Sequence, residues 1–252
     1  MSEVLVATDG AIRTLTLNRP DKRNALNDGL IATLKVALNE ADADESLRAI
    51  VICGAGNDFC SGADLSSLQK IATASYDENV EDARSLAELF ALIRSVRMPV
   101  IAAVHGRALA GGCGLALACD LVVAGDSARF GFPEVKIGFV PAMVAAILRR
   151  NLGEKKSFEL LTQGFEFTAA EAFRLGLINR VAPDDELAAA VMDFANIYTN
   201  VSGSAVAMTK HLLYDIDADT CQTAIEKGVT VNATARMTDD CQKGIARFLE
   251  KV

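Results

Sequence analysis

Apolar positions along this chain follow two rhythms, one of period two and one of three to four residues, and they alternate through most of its length. Glu3 to Ala7 and Ala11 to Leu17 read as two strands around Asp9-Gly10, a turn pair favoured in hairpins, and Asn18-Arg19-Pro20-Asp21 stops the second. Leu30, Leu34 and Leu38 then repeat at four-residue spacing, predicting a helix capped by Asn27 or Asp28 and running to about Asp42. Ala49 to Cys53 is a third strand, ended by Gly54 to Gly56. Phe59 to Asp64 is a tight small-residue turn leading to Leu65 and Leu68, and Lys70 to Val80 is less regular. Leu86, Leu89, Phe90 and Ile93 share one face of a helix from about Glu81 to Val96. After Pro99 the β-branched run Val100 to Val104 is a strand, and the small residues Ala108 to Gly114 lead into two helical turns of Leu and Ala. Leu121 to Ala124 and Ser127 to Phe130 are further strands around a turn at Gly125-Asp126.

Beyond Pro141 the pattern is mostly helical. One helix runs to about Asn151 and another from Glu154 to Leu161. Thr168-Ala169-Ala170-Glu171 fits a capping box, with Gly176 closing that helix, and Ile178 to Val181 is a short strand. From Glu186 onward Leu187, Val191, Phe194 and Tyr198 form one stripe. Val206, Lys210 and Leu213 lie on a second helix, Asp219 to about Ala235 make a third, and Asp240 to Glu250 a fourth. The expected fold class is α/β: repeated β-β-α units over residues 1–185, then a helical domain over 186–252 whose apolar stripes need cover.

A hydrophobic share of 51% excludes a disordered chain, while the apolar runs are too short or too interrupted by charge to span a bilayer. Met1-Ser2-Glu3-Val4 places an acid where a secretory signal needs basic residues, so a cytoplasmic location is expected. The net charge of -8 disfavours a nucleic-acid surface but leaves room for an anionic ligand at helix N-termini. The six cysteines sit mostly in apolar or small-residue contexts without a Cys-x-x-Cys spacing. They read as packed, reduced thiols, with metal ligation by Cys113 and Cys119 as the alternative. Neither a Gly-x-Ser-x-Gly elbow nor a phosphate-loop lysine motif occurs, and His105 and His211 read as structural or surface residues, so no metal is expected.

Two features carry chemistry. Glycines just before a helix let the backbone approach a ligand and leave N–H groups free to stabilise developing negative charge. Gly111 is placed to supply one such N–H. Glu134, in Gly131-Phe132-Pro133-Glu134-Val135, lies between apolar residues, where partial desolvation raises a carboxyl pKa and makes a better base.

The run from Pro99 to Pro141 resembles the signature of the crotonase superfamily, the enoyl-CoA hydratase/isomerase family. Asn18-Arg19-Pro20-Asp21-Lys22-Arg23-Asn24-Ala25-Leu26 and Phe59-Cys60-Ser61-Gly62-Ala63-Asp64-Leu65 agree in order and spacing, so the resemblance covers essentially the whole chain. It implies a crotonase spiral with a C-terminal helical trimerisation region, assembled as a homotrimer or a hexamer (dimer of trimers). The implied oxyanion donors are the backbone N–H groups of Ala63 and Gly111, with Glu134 moving the proton and Asp64 structural. Lys22, Arg23, Asn24, Ala25 and Leu26 match the segment lining the CoA site, and Phe248 and Lys251 match C-terminal residues that reach a nucleotide across subunits. The implied partner is an acyl-CoA thioester, and coenzyme A is part of that substrate, so no separate cofactor is called for.

One departure matters. Where two-glutamate hydratases carry their first glutamate, this chain has Gly114. A single base suffices to move a proton between C2 and C4 of a 3-enoyl thioester, so double-bond isomerisation is chemically natural. The stretch Glu134 to Ala142 instead resembles hydratase-type bacterial members, including methylglutaconyl-CoA hydratase-like proteins. Hydration is therefore placed ahead of isomerisation. A catalytically silent acyl-CoA-binding or assembly protein, and a CoA-ester hydrolase or decarboxylase, remain as alternatives. Leu65, Leu68, Phe132, Phe139 and Met143 read either as acyl-pocket walls or as core.

Overall fold

A computed structural model describes residues 2–250. Strands β1 (Val4–Asp9) and β2 (Ile12–Leu17) form the expected antiparallel hairpin, Val4 opposite Leu17 and Asp9 opposite Ile12. Helix α1 (Asp28–Ala43) follows, its first turn capped by the Asn27 side chain accepting from Leu30 N–H at 2.8 Å. Next come β3 (Ala49–Gly54), α2 (Leu65–Ile71), α3 (Tyr76–Ser95), β4 (Val100–Val104), β5 (Arg107–Leu109) and α4 (Gly111–Ala118). Strands β6 (Leu121–Gly125) and β7 (Arg129–Gly131) lead to α5 (Ala142–Asn151) and α6 (Glu154–Gln163). The chain continues through β8 (Glu166–Thr168), α7 (Ala169–Arg174) and β9 (Arg180–Ala182). It ends in the helices α8 (Leu187–Asn196), α9 (Gly203–Asp215), α10 (Cys221–Arg236) and α11 (Asp239–Leu249).

These elements wind as repeated β-β-α units, the crotonase spiral. One sheet has six strands in the order β1-β2-β3-β4-β6-β9, parallel from β2 onward; a second has three, β5-β7-β8. The central strands are apolar on both faces, as strands covered on both sides must be. Ile50, Ile52, Val100, Ala102, Val104 and Val122 point into the main core with Leu30, Leu34, Leu89 and Leu148. Ala49, Val51, Ile101, Ala103 and Val123 point the other way, under Leu187, Val191 and Ala195 of α8. Helices α10 and α11 bury no residue, and Leu213, Ile225, Val229 and Phe248 are exposed. No described helix is long and apolar enough to cross a membrane.

The structure corrects three boundaries. Helix α3 begins at Tyr76, because Ser75 and Glu78 form a reciprocal capping box across the stretch read as irregular. The last short strand lies at Arg180–Ala182, paired to β6. Two of the three strands of the small sheet, β5 and β8, lie in residues where the sequence predicts no strand.

Candidate active site

Two crossings of the chain build the candidate site. The first joins residues 23–26 to residues 61–64. Leu26 N–H donates to Gly62 O at 2.7 Å and Asp64 N–H donates to Leu26 O at 2.9 Å, a one-residue parallel bridge between Leu26 and Ala63. Such a bridge uses the neighbours of Ala63 and turns its own N–H away. Among the described residues that N–H has no protein acceptor. The second crossing is the parallel pair β5–β7, whose last partners are Leu109 and Gly131. Both strands end at one edge, and the chain leaves them into Ala110-Gly111 and into Phe132-Pro133-Glu134.

Ala110 is the bend that aims the Gly111 amide. It holds φ 51 and ψ −127, a conformation that costs an L-residue on the order of 1–3 kcal/mol and clusters at functional sites. Its N–H donates to Gly131 O at 2.8 Å, while Gly111 N–H, the first of α4, has no acceptor among the described residues. Gly62 (φ +98) brings the two segments together. A Cβ built there would stand 2.8 Å from Ala110 Cβ and 3.7 Å from Gly111 N. Leu26 and Leu86 line the same spot, with Leu26 Cδ1 3.3 Å from a Cβ position at Gly111.

Glu134 sits in a single 3-10 turn, Pro133–Ile137, closed by Gly138 in the left-handed region. Its Oε2 is buried without a hydrogen-bond partner among the described residues. Burial raises its pKa above the ordinary 4.5, a shift its own backbone N–H partly offsets. The Glu134 charge also contributes to raising Cys113 in the first turn of α4, after the larger effect of burial there. Burial pushes the Cys60 thiol up to about 12, which makes it a packed hydrophobe rather than a nucleophile.

Arg19, to which the sequence assigns no role, and Asn24, matched only to the CoA-site segment, both shape the site. Arg19 donates to Ala25 O and, at 2.6 Å, to Asp64 Oδ2, and its Nε lies 3.2 Å from Glu3. Fully buried Asn24 donates to Ala55 O and Asp58 O and accepts from Arg19 N–H. Together they pin residues 19–26 to the 54–64 loop. Asp64 is the N-cap of α2, accepting from Ser66 N–H at 2.9 Å, in line with the structural role expected for it.

The remaining candidates divide. Ala25 and Leu26 are buried, and Lys22 and Arg23 are exposed, with Arg23 Nε 3.9 Å from Asp58. Leu68 and Met143 are half-buried and Phe139 is exposed; Leu65 opens α2. Phe132 belongs to the core, fully buried with its ring centroid 6.2 Å from that of Phe167. Phe248 is exposed on α11, and Lys251 lies outside the described residues. At Gly114 a Cβ would meet Val144 Cγ2 at 2.6 Å and the Phe90 ring at 3.0 Å, so apolar groups fill the place of any side chain.

The family model for enoyl-CoA hydratase/isomerase matches residues 7–252. This chain belongs to the enoyl-CoA hydratase/isomerase family. A Thermus thermophilus relative is 39% identical over 242 residues, 96% of each chain. The 2,3-dehydroadipyl-CoA hydratase of Escherichia coli is 34% identical over all of this chain and 97% of its own. Among solved structures, an enoyl-CoA hydratase of Mycobacterium smegmatis superposes with a TM-score of 0.94 at 34% identity, covering 99% of this chain and 96% of the other. Membership of the enoyl-CoA hydratase/isomerase family gives the chain its general chemistry: hydratase or isomerase reactions of acyl-CoA thioesters.

Proposed function

We propose that this chain hydrates 2-enoyl-CoA thioesters, adding water across the C2–C3 double bond through an enolate held by the amides of Ala63 and Gly111. The observation that carries the reading is Glu134, a half-buried carboxylate whose Oε2 is buried without a hydrogen-bond partner among the described residues. As water attacks C3, Glu134 takes its proton and the C2–C3 electron pair moves toward the thioester oxygen. Two N–H donors fixed in advance need no reorganisation there, and losing one costs roughly 3 kcal/mol in the transition state. Collapse of the enolate takes the proton back from Glu134 at C2. Lys22 and Arg23 face the CoA phosphates, while Ala25 and Leu26 line the path to the thioester.

A second reading, migration of a 3-enoyl double bond to C2 with Glu134 as the single base, is favoured by Gly114. The space beside it holds Val144 and Phe90, so no second carboxylate shares the cleft there. Water addition and bond migration, followed separately on crotonyl-CoA and a 3-enoyl-CoA, distinguish the two. Hydration abolished in Glu134→Gln is the expected result; migration without hydration gives the reaction to the second reading.

The same proposal includes assembly as a homotrimer or a dimer of trimers, with residues 1–185 as the catalytic core and 186–252 as the helical domain. The exposed apolar residues Leu213, Ile225, Val229 and Phe248 support it. Sedimentation of the purified chain tests this, and a monomer counts against it.

A further inference from the structure

Helix α9 supplies no residue to the candidate site, yet it carries Lys210, the only buried lysine among the described residues. The Lys210 ammonium donates to Ile93 O at 2.9 Å, Met98 O at 3.0 Å and Asp120 Oδ2 at 2.7 Å, which places all three of its protons. Asp120 also accepts from Val100 N–H at 2.7 Å and from the Tyr214 hydroxyl at 2.6 Å. The next residue, His211, has its Nε2 2.9 Å from Ser95 O, and one turn along from Lys210 the Arg94 guanidinium stacks 3.8 Å over the Tyr214 ring. Just past α9, Asp217 pairs with Arg150 and stands 3.8 Å from Arg94.

These contacts share a geometry. Ile93, Arg94 and Ser95 end α3, Asp120 follows α4, and Arg150 ends α5. The other parts of the same three helices meet at the candidate site: Leu86 and Phe90 on α3, Gly111 and Gly114 on α4, Val144 on α5. Cations at helix C-termini are held by the carbonyls left free there. Helix α4 has eight residues, about 12 Å at roughly 1.5 Å per residue, and Gly112 to Ala118 are all buried. A close-packed interior transmits a displacement rather than absorbing it. A shift of its Asp120 end therefore reaches Gly111.

We propose that α9 is a clamp on the far ends of the three site helices, and that Lys210 is a positioning residue for the Gly111 amide. Its catalytic consequence rests on the oxyanion reading above; the mechanical coupling does not. Hydrogen–deuterium exchange of residues 107–113 in the unliganded protein tests the coupling, and steady-state kinetics test the consequence. Lys210→Met is the main variant, with Tyr214→Phe and Asp217→Asn as milder ones that serve if the first fails to fold. Leu38→Ala, on the buried face of α1, controls for lost global stability.

The expected result is faster exchange at 107–113 in the clamp variants, beyond that in Leu38→Ala, with the β1–β2 hairpin unaffected. The accompanying kinetic change is a kcat loss of roughly ten- to a hundredfold with KM nearly unchanged, since misplacing a donor by an ångström has that cost. Unaltered exchange at 107–113, or a rise that the Leu38→Ala control reproduces, overturns the proposal. Altered exchange in a protein whose wild type turns over no enoyl thioester upholds the clamp and removes the oxyanion reading instead.

Discussion

The Val144 Cγ2 methyl stands 2.6 Å from where a Cβ on Gly114 would lie, with the Phe90 ring at 3.0 Å on the same side. A methyl group at 114 therefore has to displace side chains from two other helices. Overpacking of this kind costs about 1–3 kcal/mol, more than the roughly 1 kcal/mol of helix propensity that alanine adds over glycine. Gly114→Ala is expected to lower the urea midpoint of unfolding, and Gly114→Ala with Val144→Ala to recover part of it. Gly114→Glu alone is expected to give an unstable protein with no added hydratase activity.

Glu134 sets the pH dependence. Its folded pKa lies above the ordinary 4.5 because burial disfavours the charged form. A base of this kind works only when ionised, so kcat/KM should fall on the acid side with a midpoint above 4.5, and Glu134→Gln should lower activity by about a hundredfold or more. For folding the sign is opposite. A raised folded pKa means that the protonated group favours the folded state below 4.5, and that contribution is lost as pH rises through the folded value. Glu134→Gln should therefore cost no stability at pH 7, and denaturant titrations against wild type measure it.

The parts legible in the sequence are those with local causes. Leu30, Leu34 and Leu38 place α1 to within a residue at its start, and the Asp9-Gly10 turn fixes the hairpin register. The glycine run at 111–114 and the apolar flanks of Glu134 mark both pieces of chain that β5 and β7 deliver to one edge. What stayed hidden depends on distant partners. Arg107-Ala108-Leu109 and Glu166-Phe167-Thr168 become strands only because both pair with β7, and three residues carry no period of their own. Arg19 joins Asp64 across 45 positions, and Phe90 meets Gly114 from another helix. The early start of α3 is a different case. Tyr76 to Val80 are exposed or half-buried and show no apolar stripe, so the Ser75–Glu78 cap was the only signal.

Asp64 joins the cleft to the hairpin side of the molecule, and its acid titration is measurable. Hydrogen bonds from Ser66, and then Arg19, hold its pKa down at about 2 against an ordinary 3.8. A depressed carboxyl contributes stability above its unfolded pKa and loses it as pH falls through the folded value. The stability difference between wild type and Asp64→Asn should therefore be constant near pH 7 and shrink between 3.8 and about 2. Asp64→Ala should be worse than Asp64→Asn at neutral pH, because it also removes the α2 cap, worth about 1 kcal/mol.

Gly62 and Ala110 bring the two amide-bearing segments into close contact. An alanine at 62 would hold φ +98, place its Cβ 2.8 Å from Ala110 Cβ, and stand 3.1 Å from Leu109 O. Forcing these apart moves Ala63 away from Gly111, so Gly62→Ala should lose activity by about tenfold or more, with a smaller loss of stability. Ala110→Gly removes the Cβ on the other side. It also relieves a residue at φ 51, ψ −127, a gain of order 1 kcal/mol that the greater backbone entropy of glycine in the unfolded chain roughly cancels. Ala110→Gly alone should thus be close to neutral in thermal unfolding. Combined with Gly62→Ala it should return part of the activity, but not all, because the carbonyl of Leu109 and the positive φ at 62 remain. Kinetics on the two single variants and the double variant measure that coupling; strict additivity would mean that the two segments do not bear on one another.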